Sequence, residues 1–112
     1  MRKLLLVPAI ASAAFMTAVP TALSAYKVAV GDNYFATPRG VPVVTVSKGT
    51  KVKWVWKKRT LHNVKAVKGP VKFGSSSQSG GSYAKKMKRK GTYTIICTIH
   101  GGSDQKMKLV VN

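Results

Sequence analysis

The chain has 112 residues, and 20 lysines and arginines stand against only two aspartates and no glutamate, for a formal net charge of +18. A chain of this length holds one small domain, and it lacks the paired carboxylates that general acid–base catalysis needs. We therefore predict that the protein is not an enzyme and that its partners are acidic.

The N-terminal segment has the features of an export signal. Arg2 and Lys3 precede an apolar run from Leu4 to about Val19, and small residues lead to a predicted cleavage after Ala25. The apolar run is shorter than the roughly 20 residues of a spanning helix, so a retained membrane anchor is the less favoured alternative.

We accordingly predict a signal peptide over 1–25 and a single domain over 26–112. The exported protein would be periplasmic, associated with the cell wall or free outside the cell. Cleavage leaves 18 basic residues against Asp32 and Asp104, a formal net charge of +16.

This charge favours an acidic redox protein as partner, or an anionic wall or membrane surface. Nucleic acid is excluded as a partner because export carries the chain away from it. The alternative is that the lysines, including the run K-K-M-K-R-K at 85–90, simply face solvent. We expect a monomer.

The predicted domain consists of strands. In the segment 50–56, Val52, Trp54 and Trp56 alternate with Lys51 and Lys53, as in a strand with one buried face. Turns rich in Gly, Pro and Lys separate such segments, and the Ser- and Gly-rich segment 74–82 is predicted to be a surface loop.

We predict an all-β fold, an antiparallel Greek-key β-sandwich of seven to eight strands. Met87, Trp54 and Tyr93 are expected in its core, with Tyr93 alternatively a corner tyrosine bonded to backbone. The predicted strands are Tyr26–Gly31, Val41–Val46, Thr50–Trp56, Asn63–Val67, Ser82–Met87, Gly91–Thr98 and Met107–Val111.

The single cysteine, Cys97, suggests a metal site. An exported protein normally pairs its cysteines, but a lone cysteine cannot form an intramolecular disulfide. Cys97 lies three residues before His100, and His62 lies far upstream. Copper favours one thiolate with two imidazoles. Taken singly, Cys97 could be a small buried hydrophobe and each histidine a surface residue.

Several segments, in this order, resemble the cupredoxins, most closely the plastocyanin and amicyanin branch. They are V-G-D-N-Y-F at 30–35, the turn T-V-S-K-G-T-K-V-K-W at 45–54, L-H-N-V at 61–64, the Ser-rich loop followed by Tyr83, G-T-Y-T-I-I-C-T-I-H at 91–100 and M-K-L-V-V-N at 107–112. The resemblance covers nearly all of the chain after the signal.

The resemblance implies one copper ion, cycling between Cu(I) and Cu(II), with His62, Cys97 and His100 as ligands. It also implies that Asn63 ties its loop to the ligand loop through Thr98 and supplies a hydrogen bond near the sulfur. Such bonds hold the ligands in place and tune the potential of the metal.

The axial position departs from the plastocyanin pattern. Where plastocyanins have a methionine, this chain has Gln105, whose amide oxygen can replace a thioether and favours Cu(II). Met107, two residues further on, is the alternative axial ligand. If Gln105 is not a ligand, we expect it to be an ordinary surface loop residue.

The predicted function is that of an exported type 1 copper protein that carries single electrons, with copper reached through an exposed edge of His100. Gly101 and Gly102 would leave room there for a partner. One alternative is a module that stores or delivers copper without electron transfer. Another is a metal-free cationic β-sandwich that binds a surface.

Overall fold

The computed structural model describes residues 25–102 and 104–112, and within these residues the chain forms eight strands and no helix. The predicted signal peptide lies outside them, apart from Ala25. The strands are β1 (Tyr26–Gly31), β2 (Tyr34–Phe35), β3 (Val43–Val46), β4 (Lys51–Trp56), β5 (Lys65–Lys68), β6 (Ser82–Lys86), β7 (Gly91–Ile96) and β8 (Lys106–Val111).

These strands form two four-stranded sheets, in the orders β2-β1-β4-β6 and β3-β8-β7-β5. The all-β Greek-key sandwich predicted from the sequence is confirmed. The prediction of purely antiparallel pairing is wrong for two pairs, because β1 pairs with β4 and β3 with β8 in parallel. Between β1 and β4 the chain passes through β3 in the other sheet, and such a crossover, unlike a hairpin, returns the chain in the same direction.

Most strand bounds agree with the predicted ones within two residues, and one strand was missed. The two-residue β2 is too short to show any periodicity. β3 begins at Val43 rather than Val41, since Pro42 has no backbone N–H for the ladder, although its carbonyl accepts a hydrogen bond from Lys108.

The core lies between the sheets and follows the alternation in the sequence. In β4, Val52, Trp54 and Trp56 are buried, and in β8 the buried residues are Met107, Leu109 and Val111. Alternating side chains of a strand point to opposite faces, so each sheet contributes one apolar face.

The three residues predicted to fill the core do so. Trp54, Met87 and Tyr93 are all buried, and the Tyr93 hydroxyl donates to the Arg89 carbonyl oxygen at 2.8 Å. Tyr93 is therefore both a core residue and a tyrosine bonded to nearby backbone. Within the described residues, no helix has the length and apolar character needed to span a membrane.

Candidate metal centre

Four side chains meet at one end of the sandwich, although they come from distant parts of the sequence. His62 lies between β4 and β5, Cys97 directly follows β7, His100 comes three residues later, and Gln105 directly precedes β8. Strand ends therefore position Cys97 and Gln105, whereas His62 and His100 lie in the connecting loops. His62, Cys97 and Gln105 are buried, whereas His100 is partly exposed.

The nitrogen and sulfur atoms of the set are spaced as metal ligands would be. Cys97 Sγ lies 3.5 Å from His100 Nδ1 and 3.9 Å from His62 Nδ1. Ligand atoms of all three residues lie within 4.8 Å of one another. Metal bonds of about 2.0 Å to nitrogen and 2.3 Å to sulfur at trigonal angles would separate the nitrogen from the sulfur by about 3.7 Å. The three residues are therefore poised to bind one ion in a trigonal arrangement.

The backbone of His62 is held by the Ser-rich loop that the sequence predicted to lie on the surface. His62 and Gln78 exchange two backbone hydrogen bonds, each of 3.0 Å, in an isolated β-bridge. Two residues further on, the Val64 amide donates to the hydroxyl of Ser75 at 2.9 Å. The loop thus has a structural role at the metal centre that its composition alone did not reveal.

The far side of the His62 ring faces a hydroxyl and a carboxylate. Thr60 donates its hydroxyl proton to Asp32 Oδ1, and Thr60 Oγ1 also lies 3.0 Å from His62 Nε2. Since a hydroxyl has a single proton, Thr60 must accept at the ring, so Nε2 carries the hydrogen. The Nδ1 lone pair then faces Cys97 and Gln105, which is the orientation that a metal ligand requires.

Asp32 reinforces this orientation. Its Oδ1 lies 3.4 Å from His62 Nε2. The Thr60 hydrogen bond, and to a lesser degree His62, lower the pKa of Asp32 and favour its charged form. A carboxylate behind a ligating imidazole fixes its tautomer and makes it a stronger ligand. Sequence reasoning missed Asp32 and Thr60; the available signal was that Asp32 is one of only two acidic residues.

Cys97 is fully buried, and it is a free thiol among the residues described. The Asn63 amide donates to Cys97 Sγ at 3.5 Å. The Asn63 side chain donates to Thr98 Oγ1 at 2.9 Å and accepts from the Thr98 amide at 2.8 Å. The link between Asn63 and Thr98, and the hydrogen bond near the sulfur, are both as predicted.

Backbone hydrogen bonds close the loop between β7 and β8 that holds three of the four side chains. The Cys97 amide donates to the Gln105 carbonyl at 3.1 Å, and the Gly101 amide donates to the Cys97 carbonyl at 2.9 Å. Gly101 has a φ of 83°, a conformation that glycine adopts without strain. Because β7 and β8 pair with each other, their ends fix where this loop begins and ends.

Gln105 is fully buried, so its interpretation as a surface loop residue is wrong. Its amide nitrogen donates to the carbonyls of Gly31 at 3.1 Å and Tyr34 at 2.9 Å. These two acceptors fix the amide, so Gln105 Oε1 is the atom that faces His62 Nδ1, at 2.9 Å. At this distance, His62 Nδ1 and Gln105 Oε1 are close enough to be donors to a single cation. The set therefore fits a bound cation.

Met107, the alternative axial ligand, lies within β8. It is fully buried and in register with Ile95, and it comes two residues after Gln105, which precedes the strand. Two strand residues correspond to about 6.8 Å. Gln105, which directly precedes β8 and contacts His62, is therefore better placed than Met107 to join the other donors.

The partly exposed His100 has apolar neighbours in sequence. Ile99 directly precedes it and Leu61 directly precedes His62, and both side chains are about half exposed, at 44% and 51%. The two imidazole rings lie close together, with centroids 4.7 Å apart. The surface at this end of the sandwich thus combines an apolar area with an accessible imidazole.

Comparisons with known proteins agree with this geometry. Residues 25–112 match the family described as copper binding proteins of the plastocyanin/azurin family. Among solved structures, an oxidised methionine-to-leucine mutant of amicyanin aligns at 25% identity with a TM-score of 0.65, covering 79% of this chain and 82% of that one. The Cu(I) form of a methionine-to-glutamine mutant of amicyanin aligns at 26% identity with the same TM-score and coverage.

Proposed function

The chain belongs to the plastocyanin/azurin family of copper-binding proteins, and we propose that it is an exported one-electron carrier. In this proposal His62, Cys97 and His100 hold one copper ion and Gln105 is its axial ligand. The observation that carries the proposal is the grouping of His62, Cys97 and His100, whose ligand atoms lie within 4.8 Å of one another. Bound copper would supply a one-electron couple between Cu(I) and Cu(II).

The residues around the donors favour carriage over storage or delivery. A carrier needs ligands that stay in place in both oxidation states, and three of the four donors here are held by hydrogen bonds to residues outside the set. Asp32 and Thr60 orient His62, Asn63 binds near Cys97 Sγ, and two backbone carbonyls hold Gln105. A delivery site benefits instead from ligands that open easily.

The partner is proposed to approach at His100. This side chain is partly exposed, whereas the other donors are buried, and the flanking Ile99 and Leu61 offer an apolar contact. Lys57, Lys58 and Arg59 lie exposed in the loop that leads to His62. Such charges would attract acidic proteins and speed their encounter at low salt.

Export and processing are part of the same proposal. The basic and apolar N-terminal residues support a signal peptide cleaved after Ala25. N-terminal sequencing of the protein from the extracytoplasmic fraction should give Tyr26 as its first residue. A chain that retains residues 1–25 in the membrane would contradict this part of the proposal.

Voltammetry and copper-transfer kinetics test the electron-carrier role. The copper-loaded protein should give a reversible one-electron wave and retain its metal through repeated cycles. Its reduced form should react faster with an anionic oxidant, hexacyanoferrate(III), than with a cationic one, and added salt should reduce this preference. Rapid loss of copper to a chelator after each reduction would instead support a delivery module.

A further inference from the structure

A large concave surface, separate from the residues of the metal centre, lies on the outer face of the sheet that contains β1 and β4. It is an open trough of 680 Å³. Ala29 of β1 and Val55 of β4 lie side by side at its floor, in parallel register. Ala36 and Thr37 form one wall, and Gly81 and Ser82 form the other. None of the four metal-centre residues lines this trough.

Backbone hydrogen bonds fix both walls to the floor. The Ala36 amide donates to the Ala29 carbonyl at 2.8 Å, and the Trp56 amide donates to the Gly81 carbonyl at 3.0 Å. The trough is therefore formed before any ligand arrives, and a ligand need not order it on binding.

The ends of the trough are cationic. Lys27 and Lys53 are neighbours in the register of β1 and β4 at one end, and Lys57 lies at the other. Neighbouring like charges on a sheet face repel each other. The ion pair in the described part of the chain joins Asp32 and His62. Within that part, no carboxylate is therefore paired with any of these three lysines. An anionic ligand would relieve this repulsion.

We propose that the trough binds an extended acidic segment of a partner protein. Lys53 and Lys57 are four residues apart, which corresponds to about 13 Å along a strand. An extended segment with two carboxylates four positions apart has the same spacing. The small apolar residues Ala29 and Val55 would accept short apolar side chains between the two carboxylates.

This inference rests on the proposed function, because it assigns the acidic redox partner a second contact. A partner held at the trough leaves His100 uncovered. Two linked contacts raise the effective concentration at each site without further affinity at either. Cleavage after Ala25 would add the amino group of Tyr26, which also lines the trough, to its positive charge.

The test uses a nine-residue peptide with aspartates at its third and seventh positions and alanine or valine between them. A permuted peptide with adjacent aspartates is its control. Binding to the copper-loaded protein at low salt should shift the amide resonances of Ala29, Val55 and Gly81. The permuted peptide should bind more weakly.

Two triple variants with the same net charge locate the site. Lys27→Gln/Lys53→Gln/Lys57→Gln should weaken binding of the spaced peptide about tenfold. Lys65→Gln/Lys68→Gln/Lys108→Gln removes three lysines from the other sheet and should leave its affinity nearly unchanged. Equal losses in both variants would show that only net charge matters, and would overturn the proposal. Resonance shifts confined to β5 and β8 in the unmodified protein would overturn it without any variant.

Vesicles containing 30% anionic phospholipid distinguish a lipid surface from a protein segment. If the trough variant loses vesicle binding but still binds the peptide normally, the trough serves a membrane and the proposal is wrong. The visible spectrum is recorded on every sample. A protein that binds the spaced peptide at the trough but takes up no copper would support this site and contradict the electron carrier.

Discussion

At the residue scale, Gln105 is the position where this chain differs most from the plastocyanin pattern. Its amide nitrogen is bound to the carbonyls of Gly31 and Tyr34, so the oxygen faces the donor set. An amide oxygen is a harder ligand than a thioether and favours Cu(II) over Cu(I). As the proposed axial ligand, Gln105 should therefore lower the reduction potential.

Replacing the amide by a thioether tests this assignment. Gln105→Met should raise the potential, by roughly 50–150 mV if the oxygen contributes a few kcal/mol to the preference for Cu(II). Voltammetry of the copper-loaded variant measures the change. Met107→Leu is the control and should leave the potential almost unchanged. The reverse pattern, with a shift only in the Met107 variant, would assign the axial role to Met107.

Asp32 is a second residue whose effect can be isolated. Asp32→Asn keeps an oxygen that can accept from Thr60 but removes the negative charge behind His62. We expect the potential to rise by a few tens of millivolts, since the carboxylate is exposed and its field is screened.

The chain contains a matched control for this charge. Asp104→Asn removes the only other acidic side chain, which is exposed and is not among the contacts of His62. Its effect on the potential should be smaller than that of Asp32→Asn. Nitrogen resonances of the metal-free protein report the tautomer of His62 directly. Equal shifts in both variants, or a proton on Nδ1 in the unmodified protein, would contradict the positioning role.

At the scale of elements, one side chain links the segment before β5 to the segment after β7. Asn63 makes two hydrogen bonds to Thr98 and so joins the loop of His62 to the loop of Cys97. Asn63→Ala should lower the free energy of unfolding by about 2 kcal/mol, because two partly buried hydrogen bonds are lost. Urea denaturation measures this.

Thr98→Val provides the comparison for Asn63. It removes the bond to Thr98 Oγ1 but keeps the backbone amide of residue 98 as a donor to Asn63 Oδ1. Its loss of stability should be about half that of Asn63→Ala. If Asn63→Ala unfolds at the same urea concentration as the unmodified protein, the link between Asn63 and Thr98 does not stabilise the fold and the prediction is wrong.

The elements differ in how well the sequence predicted them. β4 and β8 could be predicted because alternation at one buried face gives a period of two. The parallel pairs could not, since alternation reports which face of a strand is buried and not the direction of its neighbour. β2 has only two residues and is defined by its pairing with β1, which no local pattern records.

The contacts of the metal centre also differ in how well the sequence predicted them. Cys97 and His100 are close in sequence, and Asn63 and Thr98 were expected from the resemblance, so these contacts could be predicted. The support from Asp32, Thr60 and Gln78 depends on how distant loops pack at one end of the sandwich. Such contacts follow from the tertiary fold and leave no signal in residue spacing.

At the scale of the whole molecule, the predicted domain is small and carries a formal net charge of +16 after cleavage. A small domain buries a limited part of its surface, and a ligand that binds only the folded state adds to its stability. Copper should therefore raise the melting temperature by about 15 °C or more. Calorimetry of the loaded and metal-free forms measures the difference.

Cys97→Ser is the matched variant for the effect of copper on stability. Serine is close to cysteine in size but is a poor ligand for copper, so added copper should no longer change the melting temperature appreciably. If copper shifts the unmodified protein and Cys97→Ser equally, the metal binds elsewhere on the surface.

The most direct test of the metal centre is the visible and paramagnetic resonance spectrum of a chain that begins at Tyr26, recorded after addition of Cu(II). Cys97, His62 and His100 predict an intense blue or green thiolate-to-copper band, and the shape of the resonance signal reports how strongly Gln105 binds. A colourless sample whose Cys97 still reacts with thiol reagents would contradict the copper site and the electron carrier with it.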